Sequence, residues 1–202
     1  MITWSECQKD ALAEIMNIGT GMAAATLFEM IEEEIQLSIP AIEFHDRASL
    51  KSMLDTAMKG DVCSIRQAFR GAFAGDAMLY FVEESSVQLV RMLLDPELTA
   101  DEASELEAEA LTELGNIILN GCLGAIANTL GKELIIELPN YHKGPAHSAL
   151  PQNRQPGDST IVVHITLTSH PTGIGGIIIL HMDEKHLLAL RGELDQFVLA
   201  MC

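Results

Sequence analysis

A carboxylate and a primary amide, three residues apart, stand on one side of a long segment near the N terminus. It reads DALAEIMNIGTGMAAATLFEM from Asp10. At about 100° per residue, Asp10, Glu14, Asn17 and Gly21 fall in one narrow stripe of a helix. The carboxylate can pair with a cation or accept a proton. The amide can donate to one oxygen and accept from another, which is how a water is held for attack. No nucleophile, histidine or metal-ligating cluster of this chain adjoins the stripe, and one helix face offers too few ligands for a metal. Chemistry at this face therefore needs an electrophile, and any metal, from a second protein that already carries a reactive bond.

The stripe recurs 99 residues later, where Glu109, Glu113, Asn116 and Asn120 take the places of Asp10, Glu14, Asn17 and Gly21. Pro139 takes the place of Pro40, and in both copies 22 residues separate the amide from the proline. A single Glu-x2-Asn is most simply a solvated helix face. Its repetition in register with a distant proline reverses that preference. Asp10 and Glu109 read equally well as ordinary surface charge, and Pro40 and Pro139 as structural, setting the chain exit after a strand.

The elements that carry these residues follow from periodicity. Leu12, Ile15, Met16, Met22, Ala23, Thr26 and Met30 form the side opposite the stripe, the expected buried back of an amphipathic helix. Thr3 to Glu6 has capping-box spacing, so the helix is expected from near Trp4 to about Glu33. Ile35 to Ile39 alternates as a strand that stops at Pro40. A short helix is expected around Leu50 to Met58, then a hairpin of Val62 to Phe69 with Ala74 to Val82, then a helix from Glu83 to Leu94. Asp95-Pro96 marks the boundary of the halves. Thr99 to Glu102 or Ser104 to Glu107 opens a second long helix, which Gly131 stops. Leu134 to Leu138 is its short strand and residues 141–159 a polar loop rich in Pro and Gly. Thr160 to Thr168 and Gly173 to Met182 form the second hairpin, and Glu184 to Leu194 the last helix.

The expected fold class is α/β in the broad sense (α+β): a pseudo-twofold repeat of helix, strand, hairpin, helix. One roughly six-stranded, mainly antiparallel sheet would carry the two long helices on one face. Residues 1–202 would form one domain of two homologous halves, about 1–97 and 98–202, since a half alone leaves a face uncovered. The size swaps Met16/Gly115 and Gly19/Ile118 predict that the long helices meet, large residue against notch.

The chain has 202 residues, 48% of them apolar, and a net charge of −17. Such a charge argues against nucleic acid and against an anionic membrane surface. No stretch reaches about 18 uninterrupted apolar residues. The start MITWSECQKD lacks a secretory pattern, so a cytoplasmic location is expected, with Cys7, Cys63, Cys122 and Cys202 as reduced thiols. The GxGxxA match at Gly19 to Ala24 lies inside a helix rather than after a strand, so it does not read as a dinucleotide site. Six of the seven histidines follow residue 141, without ligand spacing. The runs Glu32–Glu34 and Glu105–Glu109 read as solvated helix surface.

The pattern (Asp or Ser)-x3-Glu-x2-Asn-x22-Pro, present twice, resembles the CheC/CheX/FliY family of chemotaxis phosphatases. Asp10, Glu14, Asn17 and Pro40 match it in full. Glu113, Asn116 and Pro139 match in the second copy, where Glu109 departs from the usual Asp or Ser. Two such faces in a chain of this length look like the CheC type. The resemblance implies a pseudo-twofold α/β fold and hydrolysis of the aspartyl phosphate of a response regulator, phospho-CheY. Asn17 and Asn116 would orient the attacking water, and Glu14 and Glu113 would engage the regulator at its lysine. No cofactor of the chain's own is implied; Mg²⁺ is expected on the regulator. The alternative is a non-catalytic adaptor that binds the receptor deamidase CheD or the phosphorylated regulator.

Overall fold

The computed structural model describes residues 2–32, 34–151, 159–169 and 172–201. Glu33, residues 152–158 of the polar loop, His170 and Cys202 lie outside them. In chain order the elements are α1 (Glu6–Ile31), β1 (Gln36–Asp46), α2 (Arg47–Ala57), β2 (Asp61–Gly71) and β3 (Gly75–Val82). There follow α3 (Ser86–Leu93), α4 (Ala100–Thr129), β4 (Leu134–Ile136), β5 (Asn140–Pro145), β6 (Ser159–Ser169), β7 (Thr172–Met182) and α5 (Glu184–Met201). Helix α1 starts two residues later than its Thr3–Glu6 spacing implied. The capping box is Ser5 with Gln8: the Gln8 N–H donates to Ser5 Oγ, and the Ser5 N–H donates to Gln8 Oε1. That shift frees Trp4 to turn inward, where it is buried and stacks on Phe44 of β1 at 4.6 Å between ring centroids. The Thr99–Glu102 box opens α4 as expected, and Gly131 follows its end at φ 62°, a left-handed position that suits glycine.

Among the described residues the strands make one seven-stranded sheet, ordered β1-β6-β7-β3-β2-β4 with β5 also on β2, and every pairing is antiparallel. The halves exchange their edges. β1 of the first half pairs with β6 of the second, β4 and β5 of the second pair with β2 of the first, and β3 meets β7 at the centre. Neither half could close its own sheet.

Both prolines of the repeat sit in these edges. Ser38 faces Thr166 and Ala41 faces His164, so β1 carries one extra residue at Ile39–Pro40. Ile136 faces Phe69 and Asn140 faces Arg66, so the opposite edge carries one extra residue in the interval holding Pro139. Pro40 does not end its strand, as the sequence reading had it. It lies at a bulge in an edge strand, where a missing N–H disturbs no inner ladder. The same bulge on the other edge divides one long strand into β4 and β5, which raises the count from six to seven and makes a strand of part of the expected loop.

Alternation divides the sheet into two packed faces. Cys63, Ile65, Leu79, Phe81, Ile161, Val163, Ile178 and Leu180 face α1 and α4. Val62, Met78, Tyr80, Val162 and Ile179 face the other way, under Leu50 and Leu54 of α2. Glu43 on β1 pairs with His45 and His164, so those two histidines serve a carboxylate of the sheet edge. Helices α1 and α4 are long and apolar enough to span a membrane by length and composition, but much of that apolar surface is core here.

The two long helices do meet at Gly19 as expected, but against Gly121 and Cys122 rather than Ile118, and not at Gly115. A Cβ on Gly19 would lie 2.7 Å from Cys122 Cα and 2.8 Å from Gly121 O. A Cβ on Gly115 would lie 2.6 Å from the Ile65 side chain, so that notch receives β2 rather than Met16. Leu12, Ile15, Met16 and Ala23 are buried as expected, but Met22 and Met30 are 49% and 44% exposed and Thr26 is exposed. The helix turns its back to α4 as well as to the sheet, so the buried arc is offset from the one the sequence pattern implied, with Gly19, Thr20 and Leu27 in it.

Candidate functional site

On α1, Asp10, Glu14, Asn17 and Gly21 are all exposed, in one line along the solvent side. Nothing approaches within 4 Å of where a Gly21 Cβ would stand. Among the described residues the Asn17 side chain makes no hydrogen bond; its backbone carbonyl accepts one from Thr20 Oγ1 at 3.1 Å. Ile18 and Met22 stand exposed beside it. This is an amide and an acid presented to solvent with room above them.

On α4, Glu109 and Glu113 are exposed while Asn116 and Asn120 are half-buried. Asn116 Oδ1 accepts from Asn120 Nδ2 at 2.8 Å and from Gln67 Nε2 at 3.1 Å. Gln67 was not among the expected site residues. It is 1% exposed and lies on β2 beneath the helix. A signal for it was legible, because Gln67 interrupts the inward phase Cys63, Ile65, Phe69 with a polar side chain. Asn120 makes the second copy chemically unlike the first, where Gly21 offers no side chain.

Next to Glu113 runs a groove of about 310 Å³ between α3, α4 and the end of α1. Met30, Leu93, Leu94 and Leu106 give it apolar walls, and Glu109 and Glu113 line it as well. At the matching places of α1, Leu106 becomes Cys7 while the two acids persist as Asp10 and Glu14. The groove thus distinguishes the second face from the first.

Glu107 corrects the reading of Glu105–Glu109 as solvated. It is 5% exposed, accepts from the Tyr141 hydroxyl and from Lys143 Nζ at 3.0 Å, and Lys143 also reaches Glu83 at 3.0 Å. The cluster ties β5 to α4 and to the turn before α3. Burial on its own would push the Glu107 carboxyl up. The hydrogen bonds from Ser86, Tyr141 and Lys143, with the Lys143 charge, outweigh it and hold the carboxyl below its ordinary range. Burial also raises the neighbouring Cys63 thiol to about 11, so it is not a nucleophile near neutrality.

A depressed carboxyl contributes stability above its unfolded pKa and loses that contribution as pH falls through its folded pKa. Glu107→Gln is therefore expected to cost about 2–3 kcal/mol at pH 7, the scale of charge-assisted buried hydrogen bonds. Thermal unfolding of both proteins should show a constant gap above about pH 5 that narrows below about pH 4. A gap that widens on acidification contradicts the assignment.

Among the described residues no group of three or more His, Cys, Asp or Glu side chains is placed to hold a metal ion.

No family model matches the sequence. The chain is 27% identical over 139 residues to the CheY-P phosphatase CheC of Bacillus subtilis (strain 168), the match covering 66% of this chain and 65% of that protein's length. Its fold is similar to that of Thermotoga maritima FliY, with a TM-score of 0.79 over 97% of this chain and 100% of the other, at 16% identity. It is also similar in fold to a chain of the CheX–CheY–BeF3–Mg²⁺ complex from Borrelia burgdorferi, with a TM-score of 0.53 over 82% and 96% of the two chains at 17% identity.

Proposed function

We propose that this chain, which is of the CheC/CheX/FliY type by sequence similarity and fold, is a phosphatase for the aspartyl phosphate of a CheY-type response regulator. The observation that carries the proposal is the exposed Glu–Asn pair on α1, repeated in register on α4. Similarity to a CheY-P phosphatase, and to a chain crystallised with CheY, BeF3 and Mg²⁺, supports the choice of partner.

In this reading the regulator brings the phosphorylated aspartate, a lysine and the Mg²⁺ that neutralises phosphoryl charge. The chain contributes position. Asn17 or Asn116 enters the regulator's site and holds a water in line with phosphorus. Water oxygen bonds to phosphorus as the bond to the aspartyl oxygen breaks, leaving inorganic phosphate and a free carboxylate. Glu14 or Glu113 pairs with the regulator's lysine and fixes the approach. Positioning of this kind suits a loose phosphoryl-transfer transition state, which asks for little covalent help. The groove beside Glu113 offers a second anchor, suited to a basic residue flanked by apolar ones.

The reading is tested by following phosphate loss from a phosphorylated CheY-type regulator in Mg²⁺, with and without this protein. Acceleration of at least about tenfold is expected. Binding of the regulator without acceleration overturns the reading. A specific observation favours the adaptor in that event: both hydrogen bonds at Asn116 fall on its oxygen, so that half of the amide is already engaged. A pull-down with CheD then distinguishes which partner is held.

A further inference from the structure

The orientation of the Asn116 amide is fixed by a chain of bonds that begins at the backbone. A carbonyl oxygen only accepts, and the Glu137 carbonyl accepts from Gln67 Nε2 at 3.2 Å. That contact forces the nitrogen of Gln67 toward Glu137. The same nitrogen lies 3.1 Å from Asn116, so Asn116 must turn its oxygen to it, and Asn120 Nδ2 donates to that oxygen as well. The Asn116 NH2 is left as the outward half. Glu137 lies in the interval where Pro139 interrupts the edge ladder, which ties the distant proline of the motif to the amide.

The first face has no such chain. The edge registers place Thr168 of β6 opposite Gln36 and Arg70 of β2 opposite Ile135, which makes Ile165 the counterpart of Gln67. Ile161, Val163, Ile165 and Leu167, the residues β6 turns to the helices, are all buried aliphatics. None can donate to Asn17, and Gly21 supplies no amide.

We infer that Gln67 is a positioning residue of the second face, holding Asn116 with its oxygen inward and its NH2 outward, so that the Asn116 amide acts as a hydrogen-bond donor alone. The inference rests on the phosphatase reading for its consequence. There Asn116 donates to the attacking water but does not accept from it, and the water's proton leaves to the phosphoryl group, to Glu113 or to solvent. Asn17 keeps both halves of its amide but must be ordered in each encounter.

The test uses proteins with one face left. In an Asn17→Ala background, Gln67→Leu is expected to lower kcat for the phosphorylated regulator about five- to tenfold with KM within about twofold. In an Asn116→Ala background the same substitution should change kcat less than about twofold. Gln67→Glu, which places an acceptor against two oxygens, should fall below Gln67→Leu at neutral pH and recover as the carboxyl is protonated. Side-chain ¹⁵N relaxation supplies a measure independent of turnover: the Asn116 amide of the wild-type protein should be rigid where that of Asn17 is mobile, and Gln67→Leu should loosen it. Equal loss in both backgrounds, or an Asn116 amide as mobile as that of Asn17, overturns the inference. If the wild-type protein has no phosphatase activity the functional reading falls by itself, and the relaxation measurement still decides the role of Gln67.

Discussion

Replacing Asn17 and Asn116 together by alanine is expected to return phosphoregulator decay to its spontaneous rate. Loss of a single aligned donor at a transition state costs about 10²–10³ in rate, and of the Glu–Asn pairs of this spacing only those of the two faces lie on the described helices, the third, Glu137 with Asn140, falling between β4 and the start of β5. The single variants should each retain activity, because each leaves one face untouched. Their stabilities should differ, however. Asn17 is exposed and its side chain makes no hydrogen bond among the described residues, so Asn17→Ala should leave the melting temperature within about 1–2 °C. Asn116→Ala strips the acceptor from Gln67 Nε2 and Asn120 Nδ2, and should cost about 1–2 kcal/mol. Binding of a BeF3-activated regulator separates lost chemistry from lost docking: the double variant should still bind, since Glu14, Glu113 and the groove remain. A double variant that clears phosphoregulator at the wild-type rate sinks the assignment of both asparagines.

What could be read in advance was what is local. The stripe of Asp10, Glu14 and Asn17 obeys the helical period, and the structure leaves that whole stripe exposed. Thr99 with Glu102 is a short-range pairing and forms as written. What could not be read depends on partners distant in sequence. Pro40 resembles a strand terminator because a proline lacks an N–H; only the knowledge that β1 is an edge, paired through its other side to β6, makes it compatible with a strand running on to Asp46. YHKGP looks like a loop because an edge strand needs little apolar content, yet it pairs with β2 from Tyr141 to Pro145. Glu107 looks like one more acid in an acidic run until Tyr141 and Lys143, both on β5, arrive over it. Gln67 was visible as a polar residue in an apolar phase, but its target lies 49 residues away on the helix above. The exchange of edges between halves underlies three of these: it pairs β1 with β6 and β5 with β2, and it sets β2 of the first half beneath α4 of the second.

The same contrast between local and distant predicts opposite signs for one substitution at two glycines a half-turn apart. Gly19→Ala and Gly21→Ala each gain about 1 kcal/mol of helix propensity. At Gly21 a new methyl meets nothing within 4 Å, so that gain should appear as a small rise in melting temperature. At Gly19 the methyl would lie 2.7 Å from Cys122 Cα and 2.8 Å from Gly121 O, which are backbone atoms of α4 and cannot rotate aside. The contact is reciprocal, since a Cβ on Gly121 would stand 2.6 Å from Gly19 O. The helices must separate, and Leu12, Ile15 and Met16 of α1 with Ile118 and Leu119 of α4 are packed into the same core at zero exposure. Overpacking of this kind costs about 1–3 kcal/mol and more where backbone has to move, so Gly19→Ala should lose about 2–3 kcal/mol net in urea unfolding. Gly121→Ala should behave like Gly19→Ala, and the double variant should lose less than the sum, because a helix pair already pushed apart accommodates the second methyl more easily. If Gly19→Ala proves as benign as Gly21→Ala, the two helices do not cross as closely as the Gly19–Gly121 contact requires.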